Sequence, residues 1–129
     1  MPHIIVEYTK NIQEQANIPP LLHKINAQLI AEGDIFPTGG IRSRAVMLQD
    51  YVIADSTEAA DAFVHVTLKM GSGRSVEVKE TVCKHLFHVL ESHFHSLLQT
   101  DHFALSLELY EFTNPTFKKN TIHARYQKR

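Results

Sequence analysis

A single cysteine, Cys83, is all the chain contains, which excludes a disulfide within it and suits a reducing compartment. Long apolar runs are missing as well: nothing approaches the ~20 consecutive residues that a bilayer-spanning helix needs. The start of the chain has no basic stretch followed by an apolar one, so no signal peptide is expected. Nor does either charge dominate. Lys plus Arg total 13 against 14 for Asp plus Glu, a formal net charge of -1, so neither nucleic acid nor an anionic membrane is an expected partner. The basic ending, Lys118, Lys119, Arg125, Lys128 and Arg129, is short and reads as solvated. These absences leave soluble, cytoplasmic chemistry on small molecules as the expectation.

What is present fits one compact domain, residues 1–129. The 43% hydrophobic and 21% charged fractions are those of an ordinary globular protein. A chain of this size buries roughly two-thirds of its unfolded surface, enough for one core. Residues 3–9 read as a strand, and the unbroken Ile4, Ile5 and Val6 suggest burial on both faces, as in a central strand. Asn17 and Pro19-Pro20 can open a helix whose stripe is Leu21, Leu22, Ile25, Leu29 and Ile30, with Gly33 as its stop.

After a loop over 34–41, residues 42–54 read as a strand or bent pair, and 55–61 as a turn. Residues 62–70 alternate, with Val64, Val66, Leu68 and Met70 on one face. Gly71-Ser72-Gly73 breaks that strand before a long helical stripe: Val78, Val82, Leu86, Val89 or Leu90, Phe94, Leu97 and Leu98. Leu105, Leu107, Leu109 and Phe112 mark a last strand, and 114–123 reads as turns with a short edge strand.

The order is strand, helix, strand, twice over, in halves of 1–60 and 61–129. Two helices of this kind pack on one face of a mixed sheet, which is an α+β architecture. The other sheet face then has no helix to cover it, and association with further subunits is the natural remedy.

Four features could carry chemistry. Removal of Met1 would leave Pro2 with a secondary amine fixed at the end of an apolar strand. Such an amine serves as a general base only if burial and nearby positive charge lower its pKa toward neutrality. Proline in second place is common, so this feature needs support from elsewhere. Arg42 and Arg44 stand at alternate strand positions, hence on one face, and two guanidinium forks suit carboxylates. By themselves they read better as a pair of solvent-facing residues. Gly71-Ser72-Gly73-Arg74-Ser75 is a strand-to-helix turn whose amides and Arg74 favour an anion, although no Walker or GxGxxG spacing is present. Its plainer reading is a turn with Ser75 as helix cap. Nine histidines include His85 and His88 on one helix face, which is a weak case for zinc without a cysteine or carboxylate at suitable spacing. Cys83, beside the apolar stripe, reads as a buried thiol.

Four segments in order make a more specific pattern. They are Pro2-His3-Ile4-Ile5-Val6-Glu7; Ile35-Phe36-Pro37 leading to Gly40-Ile41-Arg42-Ser43-Arg44; Phe63-Val64-His65-Val66-Thr67-Leu68-Lys69 with Gly71-Ser72-Gly73-Arg74-Ser75; and Asn114-Pro115-Thr116-Phe117-Lys118-Lys119-Asn120 ending near His123. Nearly end to end, the sequence resembles the 5-carboxymethyl-2-hydroxymuconate isomerases, a branch of the tautomerase superfamily. The resemblance implies two pseudo-related β-α-β units in a mixed four-stranded sheet with two helices on one face, assembled as a homotrimer around a central barrel.

It also implies an activity: conversion of a dienol muconate to its conjugated ketone during aromatic acid breakdown, in a pocket near a subunit boundary. By position, Pro2 would move the proton, Arg42 would bind a carboxylate and polarise the oxyanion, and Arg74 would be a second carboxylate clamp. Arg44 would be a further ligand or a structural residue. No cofactor or metal is implied. Two other classes fit the residues alone: a non-catalytic dicarboxylate-binding module of ferredoxin-like fold, and a histidine-rich metal protein.

Overall fold

The computed structural model describes residues 1–127; Lys128 and Arg129, part of the basic ending, lie outside them. Strand β1 (His3–Thr9) leads to helix α1 (Ile18–Ala31) and strand β2 (Arg42–Leu48). Strand β3 (Ala62–Gly71), helix α2 (Val76–His93), the single turn α3 (His95–Leu98) and strand β4 (Phe103–Phe112) repeat that order, and a short helix α4 (His123–Gln127) follows. The strands form one sheet in the order β2-β1-β3-β4. Pairs β1–β2 and β3–β4 are parallel, and the central pair β1–β3 is antiparallel. Each parallel pair is bridged by its own helix, so the two halves are equivalent β-α-β units joined through β1 and β3.

The local reasons are those the side chains supply. Asn17 enters α1 in a left-handed conformation (φ 44°), prolines occupy the first turn, and Leu21, Ile25 and Leu29 are fully buried. Gly33, at φ 76°, lets the chain turn away after α1. Ser75 caps α2: its Oγ accepts a hydrogen bond from the Val78 amide at 3.2 Å. The α2 stripe resolves to Val82, Leu86 and Leu90.

The register aligns Ile4 with Leu68 and Val6 with Val66, so one sheet face is apolar and meets α1 and α2. The apolar run of β1 behaves differently from expectation. Ile4 and Val6 are fully buried, but Ile5 is only half-buried, because no element of the chain covers its side of the sheet. That open face carries His3, Ile5 and Glu7 from β1, and His65, Thr67 and Lys69 from β3.

Three boundaries differ from the sequence reading. Strand β2 stops at Leu48 instead of running to Ala54. Asp55 explains part of this, since its Oδ1 accepts from the Thr57 amide at 3.1 Å and the Thr57 hydroxyl at 2.7 Å. That turn, with Ala54 and Ser56 at positive φ, competes with a ladder. The second long helix ends at His93, and Phe94 turns into the core with its ring 5.5 Å from that of Phe103. The tail forms no edge strand among the described residues; α4 packs instead on the turn Thr38–Gly40. No helix of the described residues is long and apolar enough to cross a membrane.

Candidate active site

Pro2 is buried where β1 begins. Its carbonyl accepts a hydrogen bond from the Arg42 amide at 3.2 Å, which ties the head of β1 to the head of β2. With Met1 attached, the terminal amine is held below its ordinary pKa by burial first, then by the charges of Lys118, Arg74 and Arg42. Three cations from three separate segments therefore converge on the amino terminus. Met1 itself lies over the turn before β2: a Cβ on Gly40 would sit 3.3 Å from Met1 Cγ, and Arg42 Nη1 donates to Met1 Sδ.

Arg74 is held from three sides. Nη1 donates to the Gly71 carbonyl at 3.1 Å, Nη2 donates to the Ile35 carbonyl at 2.9 Å, and the guanidinium lies 5.2 Å from the centre of the buried Phe36 ring. A guanidinium has five N–H donors, so these two bonds leave others for an anion while fixing its plane. The sharp turn that delivers Arg74 uses Gly73 at φ 115°.

Arg42 and Arg44 share the open face, as alternation requires, since they align with His3 and Ile5. They do not act on one spot. Arg44 Nη1 donates to His3 Nδ1 at 3.1 Å. Because a guanidinium cannot accept, Nδ1 is the acceptor and the imidazole proton belongs on Nε2. Burial, then Arg44, Arg42, Lys69 and the terminal amine, hold His3 below its usual pKa. The structure thus gathers Pro2, Arg42 and Arg74 and leaves Arg44 to His3.

Sequence reasoning missed Lys118, which reads as part of a solvated ending but contributes the largest single charge effect on the amine. The tail carries it there. Asn120 Nδ2 donates to the Gly39 carbonyl at 2.8 Å, and His123 packs so closely that a Cβ on Gly39 would lie 3.0 Å from its Cα. A cavity of about 330 Å³ runs between this tail and the loop after α1, lined by Asp34, Phe36, Pro37, Gly39 and His123 among others.

Three further histidines tie elements together. His85 pairs with Glu32 at 2.9 Å, His102 with Asp61 at 3.0 Å, and His93 Nε2 donates to the Ala16 carbonyl at 2.8 Å. Among the described residues no three His, Cys, Asp or Glu side chains converge as a metal-binding set. Cys83 is half-buried, not fully buried as expected, because α2 leaves a groove along β4; that partial burial still raises its thiol pKa.

This fold and site define a class before a family. The structure of native fused 4-OT superposes with a TM-score of 0.67 over 98% of this chain and 99% of that one, at 16% identity. The two chains share a fold. The family described as 5-carboxymethyl-2-hydroxymuconate isomerase matches residues 2–126. The 5-carboxymethyl-2-hydroxymuconate Delta-isomerase of Escherichia coli is 43% identical over 98% of this chain and its whole length. A crystal structure of a 5-carboxymethyl-2-hydroxymuconate isomerase from Deinococcus radiodurans R1 is 50% identical, with a TM-score of 0.92 over 97% of this chain and 93% of that one. The chain belongs to the 5-carboxymethyl-2-hydroxymuconate isomerase family and is an isomerase. A non-catalytic dicarboxylate-binding module is accordingly not favoured.

Proposed function

We propose that the chain, once Met1 is removed, converts 5-carboxymethyl-2-hydroxymuconate to its conjugated keto isomer, with the Pro2 nitrogen carrying the proton. The neutral amine accepts the proton of the 2-hydroxyl as the C2–O bond becomes a carbonyl. The diene shifts to C3=C4, and the same proton is delivered to C5. One O–H bond breaks and one C–H bond forms, so no redox partner or cofactor is called for. Arg42 binds a carboxylate and offsets charge developing on the C2 oxygen, and Arg74, braced on Phe36, clamps a second carboxylate.

The observation that supports this most is that burial, then the charges of Lys118, Arg74 and Arg42, hold the amine of Met1, one residue from Pro2, below its ordinary pKa. Arginine keeps its charge throughout the working range, so it clamps the substrate without competing for the proton. With Met1 retained, the Pro2 nitrogen is an amide whose lone pair is delocalised, and the reaction stops. The catalytic unit is the single domain 1–129, working in the cytoplasm on a free anionic substrate, without nucleic acid or membrane. The open sheet face supports assembly as a homotrimer, the state in which a related-fold protein, fused 4-OT, is described.

The test is the ultraviolet ketonisation rate of 5-carboxymethyl-2-hydroxymuconate, with Met1 removal confirmed by mass. Pro2→Ala is expected to lower kcat by about 100-fold or more with fold intact. Equal rates in parent and variant would remove the proline mechanism. No turnover by correctly processed parent would remove the substrate.

A further inference from the structure

We propose that His123, delivered by α4 to the turn Thr38–Gly40, binds the carboxymethyl carboxylate of the substrate in the space that Met1 vacates, and so sets preference for a dienol that carries this arm. This rests on the function just proposed and deepens it. The substrate named there has three carboxylates. Arg42 and Arg74 account for two, and Arg44 is engaged with His3 at 3.1 Å.

Met1 marks the space in question. Its carbonyl carbon is bonded to the Pro2 nitrogen, so the residue fills the volume beside that nitrogen until it is removed. A Cβ built on Gly40 would lie 3.3 Å from Met1 Cγ, 3.6 Å from Met1 Cα and 3.4 Å from His123 Cε1. Met1 and the imidazole therefore meet over one glycine. Gly40 is buried and has no positive φ, so its missing side chain serves space and not backbone geometry. The volume also suits an acceptor, since Arg42 Nη1 donates into it, to Met1 Sδ.

His123 is fixed from behind. A Cβ on Gly39 would lie 3.0 Å from both its Cα and its Nδ1, and Asn120 Nδ2 holds the approach to α4 by donating to the Gly39 carbonyl at 2.8 Å. The ring thus advances from Gly39 at Nδ1 to Gly40 at Cε1, and Nε2 is the next ring atom. His123 is half-buried, yet among the described residues neither ring nitrogen has a hydrogen-bond partner. With its proton on Nε2, the imidazole has a donor to offer a carboxylate.

The reaction selects which carboxylate that is. C5 must come within about 3–3.5 Å of the Pro2 nitrogen to receive the proton. The arm leaves C5 through a single methylene, so its carboxylate stays close to that nitrogen, in the volume that Met1 fills.

The experiment compares parent, His123→Leu, His123→Gln and Gly40→Ala, each with Met1 removal confirmed by mass, on two probes. One probe is 5-carboxymethyl-2-hydroxymuconate. The other is 2-hydroxymuconate, the same dienol without the arm, followed as substrate or as competitive inhibitor. His123→Leu keeps the bulk that seats α4 and removes the donor. It is expected to raise KM for the first probe by about tenfold with kcat little changed, and to leave KM or Ki for the second within about twofold. His123→Gln, which restores a donor, is expected to recover most of the loss. Gly40→Ala puts a methyl in the space of the arm and is expected to weaken the first probe more than the second. Equal weakening for both probes, none for either, or equal loss in His123→Leu and His123→Gln would overturn the assignment while leaving the proline mechanism standing. So would faster proteolysis of the tail in His123→Leu together with no selective effect of Gly40→Ala. A parent that fails to turn over the first probe would overturn both.

Discussion

Arg42 and Arg44 leave β2 on the same side, yet each answers a different neighbour. Alternation along a strand fixes the face of a side chain but not the partner its end finds. Arg42 points to Met1, whereas Arg44 donates to the acceptor nitrogen of His3. That pairing has a consequence for pH. The folded protein holds His3 below the ordinary histidine pKa, chiefly by burial and then by Arg44, so the unfolded chain binds its proton more readily. Its contribution to stability is therefore fully present above about pH 6.5 and is lost as pH falls through the folded pKa. The urea midpoint should drop more steeply in the parent than in His3→Gln between about pH 7 and about pH 5. Parallel curves would show that His3 plays no part in that slope.

At the scale of elements, the strands and the two long helices were legible because their periodicity coincides with what they bury. Leu21, Ile25 and Leu29, or Val64, Val66 and Leu68, announce a face by spacing alone. The ends were less legible, since they depend on contacts outside the element. Phe94 breaks the second helix to reach Phe103, and β2 ends at Leu48, well short of the Asp55–Thr57 turn. Least legible was α4, five residues too few to show a period and held by tertiary contact with the turn Thr38–Gly40. Lys118 was lost with it, since nothing in a pair of lysines says where a tail will fold. Gly39→Ala tests that contact. The added Cβ would meet the His123 backbone at 3.0 Å, and moving it would cost about 1–3 kcal/mol locally. Limited proteolysis should cut the tail several-fold faster in Gly39→Ala while the central sheet stays protected. An unchanged cleavage rate would mean that the tail is held elsewhere.

For the molecule as a whole, the governing fact is a sheet with helices on one side only. The count of helices in the sequence already implied an uncovered face, and Ile5, Thr67 and their neighbours supply it. They are half-buried in the single chain although β1 and β3 are its innermost strands. The proposed homotrimer covers them, so sedimentation equilibrium should return about three times 14.7 kDa. Thr67→Arg places a charge in the middle of that face without touching the helix-side core, and should shift the mass toward that of one chain. A parent that sediments as one chain, or a variant that stays assembled, would argue against burial of this face.

The packing of α4 on the turn Thr38–Gly40 also separates two kinds of change. Pro2 and Arg42, the residues proposed for proton transfer and carboxylate binding, are tied by a backbone hydrogen bond where β1 and β2 begin. One wall of the cavity beside that turn is formed instead by residues of α4. Substitutions in α4 would therefore reshape the cavity without disturbing the register of the sheet.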